Sequence, residues 1–86
     1  MKFLIDLPGK DNWSHLVSDN LKVLHSFMRK MKISVSRFHK GKNLPHYDIK
    51  KTEFEKIINN ENYKIEIVSS KEIVKFLRNN YGDKKI

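Results

Sequence analysis

The sequence predicts an α/β domain: a small three-stranded parallel sheet in βαβαβα order, with its helices flanking it. Three observations point there. Short apolar or alternating runs recur over residues 2–7, 33–38 and 63–68, each of strand length. Between and after them, apolar residues fall at three- and four-residue spacing, the period of a helix. Strands that alternate with helices favour parallel pairing through right-handed crossovers. With 86 residues there is material for one domain, over 1–82, and a basic tail over 83–86. A sheet this narrow has two open edges, so self-association is expected, most simply as a dimer.

The first strand, Lys2-Phe-Leu-Ile-Asp-Leu7, ends near Asp6 because Pro8-Gly9 signals a turn. Residues 8–17, rich in Gly, Lys, Asp, Asn and Ser, read as a loop that carries Trp13 and His15. The first helix is expected from Asp19 to Met31, capped by Ser18 or Asp19, with Leu21, Leu24, Phe27, Met28 and Met31 on its apolar side. His25 borders that stripe. Ile33-Ser-Val-Ser-Arg-Phe38 alternates as a strand does, and a basic loop follows over 39–45. Leu44 precedes a proline and is therefore extended, which sets His46 and Asp48 on one side of an extended segment.

Thr52 and Glu55 form the pattern of a capping box for a short second helix with Phe54, Ile57 and Ile58 inward. Tyr63–Val68 alternates again. Ser69 and Glu72 repeat the capping pattern, and Ile73, Val74, Phe76, Leu77 and Tyr81 mark a third helix that Gly82 stops.

Composition narrows the chemistry. The chain has no cysteine, which rules out a disulfide, a thiolate metal site and a cysteine nucleophile. No apolar run approaches the ~18 residues of a membrane span, and the start meets Asp6 too early for a signal peptide. The expected location is the cytoplasm, with no membrane partner. The abundance of Lys, Asn and Ile suggests an AT-rich bacterial or phage genome. A formal charge of +8 favours polyanionic partners: nucleotides, phosphorylated metabolites or nucleic acid. There is no G-x-S-x-G elbow and no glycine-rich phosphate loop, since the three glycines stand apart at 9, 41 and 82.

Two polar clusters stand out from this framework: Trp13-Ser-His-Leu-Val-Ser-Asp19 and His46-Tyr-Asp48. Asp6, at the carboxyl end of a strand, adds a third element, because ligands of α/β sheets bind at that end. The candidate ligand-binding set is therefore Asp6, Trp13, His15, Ser18, Asp19, Arg37, Lys40, Lys42, His46, Tyr47 and Asp48. Trp13 or Tyr47 could stack on a base. Ser18 and Asp19 start a helix, whose free N–H groups suit an anion. Arg37, Lys40 and Lys42 would form a cationic rim. His15, Asp19, His46 and Asp48 combine imidazole with carboxylate, donors that suit Mn, Mg or Zn.

Trp13-x-His15-Leu16-Val17-Ser18-Asp19, Leu24-His25-x-Phe27, Phe38 and His46-Tyr47-Asp48 together resemble a small bacterial and phage family known only as a domain of unknown function. Val68-Ser-Ser-Lys-Glu72 resembles it too, and the likeness spans residues 2–81. The segment before His-Tyr-Asp is typically shorter in that family, so Lys40–Pro45 reads as an insertion. The resemblance implies no activity.

The residues thus suggest a module that binds a nucleotide-like or phosphate-bearing small molecule, for instance a phage protein that sequesters a host nucleotide signal. Two alternatives are a metal-dependent phosphoesterase or nuclease and a nucleic-acid-binding protein. A fourth reading makes both clusters a buried polar network that locks two loops together.

Overall fold

The computed structural model describes residues 1–41 and 44–82. Its centre is a five-stranded mixed sheet: β1 (Phe3–Asp6), β2 (Trp13–Ser18), β3 (Phe38–His39), β4 (His46–Lys50) and β5 (Ile65–Val68), in spatial order β3-β4-β2-β1-β5. Among the described residues only β5 runs parallel to its neighbour, β1; the other three pairings are antiparallel. Among the described residues three α-helices accompany the sheet: α1 (Leu21–Lys30), α2 (Lys51–Ile58) and α3 (Ser70–Tyr81).

This overturns the three-stranded parallel sheet in βαβαβα order. The reason lies in two segments. Residues 8–17 read as a polar loop, yet Trp13–Ser18 is the second strand of a hairpin. Gly9–Asn12 makes the turn: the Asn12 N–H donates to the Gly9 carbonyl, and Asn12 adopts φ 66°. Asparagine tolerates that left-handed conformation better than most residues. The inward positions of β2 are Ser14, Leu16 and Ser18, all fully buried. Small hydroxyl residues at two of three core positions erase the apolar alternation that marks a strand. His46–Lys50 forms the other added strand, pairing with β2 instead of ending in a loop. With hairpin pairing available locally, antiparallel neighbours replace long parallel crossovers.

Smaller corrections concern element ends. Ile33–Phe38 is not a strand; Val35–Arg37 forms one turn of 3-10 helix, and strand pairing is confined to Phe38–His39. The first helix is capped by Asn20, whose side chain accepts from the Val23 N–H, and not by Ser18 or Asp19. The second begins at Lys51, with Glu53 accepting from the Lys50 N–H, so Thr52 is not its cap. The third starts and stops as its sequence indicates: Ser69 accepts from the Glu72 N–H, and Gly82 ends it. The tail over 83–86 lies outside the described residues.

The two faces of the sheet are covered unequally. Phe3, Ile5, Leu16, Tyr47 and Ile49 face α1 and α2 and pack with Leu24, Phe27, Met28, Phe54 and Ile57 into the main core. On the reverse face, Leu4 and Val17 pack under Ile73 and Leu77 of α3. The Tyr81 hydroxyl fastens that helix by donating to the Ser18 carbonyl at 2.7 Å. Helix α3 lies over β1 and β2. The outer part of the same face, on β4 and β3, remains open, and His39, His46 and Asp48 stand there.

Candidate metal-binding face

Strand periodicity places the site. Side chains two apart share a face, so His46 and Asp48 of β4 join His15 of β2, which lies directly opposite Asp48 in the antiparallel register. His39 of β3 is paired with His46. Asp6, the last residue of β1, continues the row on the other side of β2. The result is a polar band across four strands, bounded by the N-terminus of α3.

Asp6 anchors one end. Only 2% exposed, its carboxylate accepts from the His15 backbone N–H at 2.6 Å, from His15 Nδ1 at 3.0 Å and from the Ser70 hydroxyl at 2.7 Å. Burial alone would raise its pKa. The bonds from the His15 ring, Ser70 and the His15 N–H outweigh burial and hold the carboxyl below its ordinary 3.8. The same pairing raises His15 above its ordinary 6.5 against the opposing effect of burial, and the charges of Asp6, Asp48 and Asp11 add to it.

His46 is fixed from below. Its Nδ1 lies 2.8 Å from the Leu44 carbonyl oxygen. A carbonyl can only accept, so Nδ1 carries the proton. The opposite nitrogen, Nε2, stands 3.2 Å from Asp48 Oδ1. In a neutral ring that nitrogen presents a lone pair to a carboxylate, and two acceptors at this distance need a cation or a proton between them. The other Asp48 oxygen meets His39 Nε2 at 2.9 Å.

One ring nitrogen each from His15 and His46 and a carboxylate oxygen of Asp48 all lie within 4.8 Å of one another. With Nδ1 of both rings committed, to Asp6 and to Leu44, Nε2 is the nitrogen left to a metal in each. This is the arrangement that metal-binding histidines show: the far N–H is donated to a carboxylate or a backbone carbonyl, which sets the tautomer and the ring orientation. A cavity of about 180 Å³ opens beside the two imidazoles, walled by Leu44, Ile73, Val74 and Leu77.

Other residues singled out in the sequence are elsewhere. Asp19 accepts from the Lys2 N–H on the exposed rim of β1 and is not part of the cluster. Ser18 is buried on the opposite face, where its hydroxyl accepts from the Asn20 N–H. Tyr47, 1% exposed, points into the main core and its hydroxyl meets His25 Nδ1 at 2.7 Å, so it offers no face for stacking. Arg37 forms a two-pronged pair with Glu53, donates to the Asp48 carbonyl, and lies 5.5 Å above the Trp13 ring. Lys40 is exposed; Lys42 lies outside the described residues.

Two contributors escaped the sequence reading. Ser70 looks like one more helix-capping serine, and nothing local marks it as the partner of Asp6, 64 residues away. His39 sits in a basic loop pattern, and only the β3–β4 register brings it to Asp48.

The comparison with known families decides what the chain is related to. Its match covers residues 4–80, nearly the whole described domain. The chain belongs to the family described as protein of unknown function, DUF4031. The matched span of this DUF4031 chain includes every residue of the polar band. No curated protein and no solved structure matches it. No helix among the described residues is long and apolar enough to cross a membrane.

The Arg37–Glu53 pair holds β3, β4 and α2 together beside the band. Arg37 holds the Glu53 carboxyl below its ordinary 4.5, against burial, with help from the Lys50 N–H. A depressed carboxyl stabilises the fold above its unfolded pKa and loses that contribution as pH falls through the folded one. The two side chains are 21% and 20% exposed, so the pair is only lightly screened. Glu53→Gln should cost about 1–2 kcal/mol at pH 7. In urea titrations the gap to the wild type should close below pH 4.5. A gap that persists unchanged into acid would mean that the charge contributes nothing.

Proposed function

We propose that the protein is a divalent-metal-dependent phosphoesterase whose ion is held by His15, His46 and Asp48. One observation carries this reading: both imidazoles have Nδ1 tied to an acceptor, and a ring nitrogen of each lies within 4.8 Å of the other and of an Asp48 carboxylate oxygen. Two imidazoles and a carboxylate suit Zn, Mn or Fe(II) better than Mg, which prefers oxygen donors throughout. Three protein ligands leave positions for water and substrate, as catalytic sites require. A bound ion supplies a Lewis acid for a phosphoryl oxygen and a water of lowered pKa. Hydrolysis joins the water oxygen to phosphorus and breaks the ester P–O bond, and the departing oxygen takes up the proton. His39, hydrogen-bonded to the far oxygen of Asp48, orients that ligand. The formal charge of +8 favours an anionic substrate. The polar-network alternative uses the same contacts without an ion.

Calorimetric titration of metal-stripped protein with Zn(II) and Mn(II) separates the two. One equivalent should bind per chain. His46→Ala and Asp48→Asn should each weaken binding by more than the 10–100-fold that loss of an outer-shell partner causes, and both should remain folded. Metal-loaded protein should release 4-nitrophenol from methyl 4-nitrophenyl phosphate. Protein that binds neither ion, with histidine variants that merely melt lower, is the polar network.

A further inference from the structure

Along the same two strands the polar band continues into a second cavity. Trp13 pairs with Lys50 just as His15 pairs with Asp48. Each is two residues from its counterpart, so the Trp13–Lys50 position shares the face of the histidines, about 7 Å along the strands. Asn12, Trp13, Lys50, Lys51 and Thr52 line a cavity of about 400 Å³ there. Lys50 and Lys51 are exposed. Arg37 is already neutralised by Glu53 and lies against Trp13, steadying the indole.

We infer that the phosphoester hydrolysed at the metal carries a nucleobase, seated against Trp13, with Lys50 and Lys51 drawing in its phosphate charge. The inference rests on the phosphoesterase reading and names its substrate class. Three features support a nucleoside phosphate over a simple alkyl phosphate. A partly exposed indole lining a cavity offers a stacking surface that tolerates any base. Two exposed lysines adjoin it, and among the described residues neither side chain forms an ion pair of the kind that Arg37 makes with Glu53. The strand repeat of about 7 Å between the Trp13 and His15 positions is of the order of a nucleoside's reach from its base to its 5′-phosphorus. The cavity walled by Leu44, Ile73 and Val74 lies on the opposite side of the metal position and leaves room for the leaving group.

The test is steady-state kinetics with the full chain loaded with Mn(II), on two esters that share a leaving group. One is thymidine 5′-(4-nitrophenyl) phosphate; the other is methyl 4-nitrophenyl phosphate, which has no base. The thymidine ester should have the lower KM. Trp13→Ala should raise that KM about tenfold, equivalent to about 1.4 kcal/mol, with kcat little changed and the methyl ester unaffected. Trp13→Phe should restore most of the loss. Lys50→Ala with Lys51→Ala, which leaves the indole in place, should raise KM for both esters and flatten the salt dependence of each. A single-stranded oligonucleotide bound more tightly than the thymidine ester identifies a nucleic-acid strand as the source of the nucleotide; equal KM identifies the free nucleotide. Equal KM for the two esters, with no response to Trp13→Ala, overturns the inference and leaves the phosphoesterase standing. Hydrolysis of neither ester removes both.

Discussion

Phe27→Ala should be the most damaging single truncation in the main core, costing about 3–5 kcal/mol. Phe27 is 1% exposed and sits at the middle of the α1 face. Its ring meets Phe3 at 5.4 Å and Tyr63 at 5.2 Å, and those two rings are 4.8 Å apart. The three aromatics bridge β1, α1 and the segment leading to β5. Removing the central ring leaves two aromatic faces without a partner, in a region that backbone hydrogen bonds prevent from collapsing. A chain of this length has roughly 4–13 kcal/mol in total, so the loss takes a large share. The melting temperature should fall by at least about 12 °C, at roughly 4–8 °C per kcal/mol for domains of this size. Val35→Ala, at a residue 69% exposed, should stay within about 0.5 kcal/mol of the wild type. Equal shifts for the two variants would mean that the aromatic trio is not the centre of the core.

That core was largely legible in the sequence. Leu24, Phe27 and Met28 follow helical spacing, as do Ile73 and Leu77, and all are buried. β1 ends at Asp6, where Pro8-Gly9 indicates. The sheet was harder to read, for physical reasons. Strand β2 hides its pattern because Ser14 and Ser18 occupy core-facing positions where valine or isoleucine would have announced a strand. Strand pairing is non-local, so nothing in Trp13–Ser18 or His46–Lys50 says that they lie side by side. Misreading β2 as a loop then turned an antiparallel hairpin into a parallel crossover.

The site divides along the same line. The two-residue spacing of His46 and Asp48 places them on one side of the chain whatever their strand pairs with. The meeting of His15 with Asp48 depends on the β2–β4 register, and so does the meeting of His39 with His46 on β3–β4. Ser18 and Asp19 are adjacent to the first cluster in sequence only. Strand alternation turns Ser18 away from His15's face, and the chain leaves the sheet before Asp19.

Asp6→Asn should leave the protein folded but weaken metal binding about 10–100-fold, the range for loss of an outer-shell carboxylate. The reason is the tautomer of His15. The native carboxylate accepts three bonds, two of them from His15. An asparagine has one acceptor oxygen and one NH₂ group. The oxygen is best used on the His15 backbone N–H, which is the shortest of the three bonds at 2.6 Å. The NH₂ group then faces Nδ1 and the Ser70 hydroxyl. Donation to Nδ1 forces the His15 proton onto Nε2, the nitrogen a metal needs. The cost to stability should be about 1–2 kcal/mol, since one charge-assisted network becomes neutral. Asp6→Ala differs in kind. It leaves the His15 N–H buried without a partner and should cost about 3 kcal/mol or more. Ser70→Ala removes only the third bond; it should cost about 1 kcal/mol and leave metal affinity within a few-fold of the wild type, because the Asp6–His15 pair survives. Calorimetric metal titrations paired with thermal melts of the three variants check this ordering. Full metal affinity in Asp6→Asn would show that Asp6 does not set the tautomer of His15. An equal loss in Ser70→Ala would show that it acts only by holding α3 against the sheet.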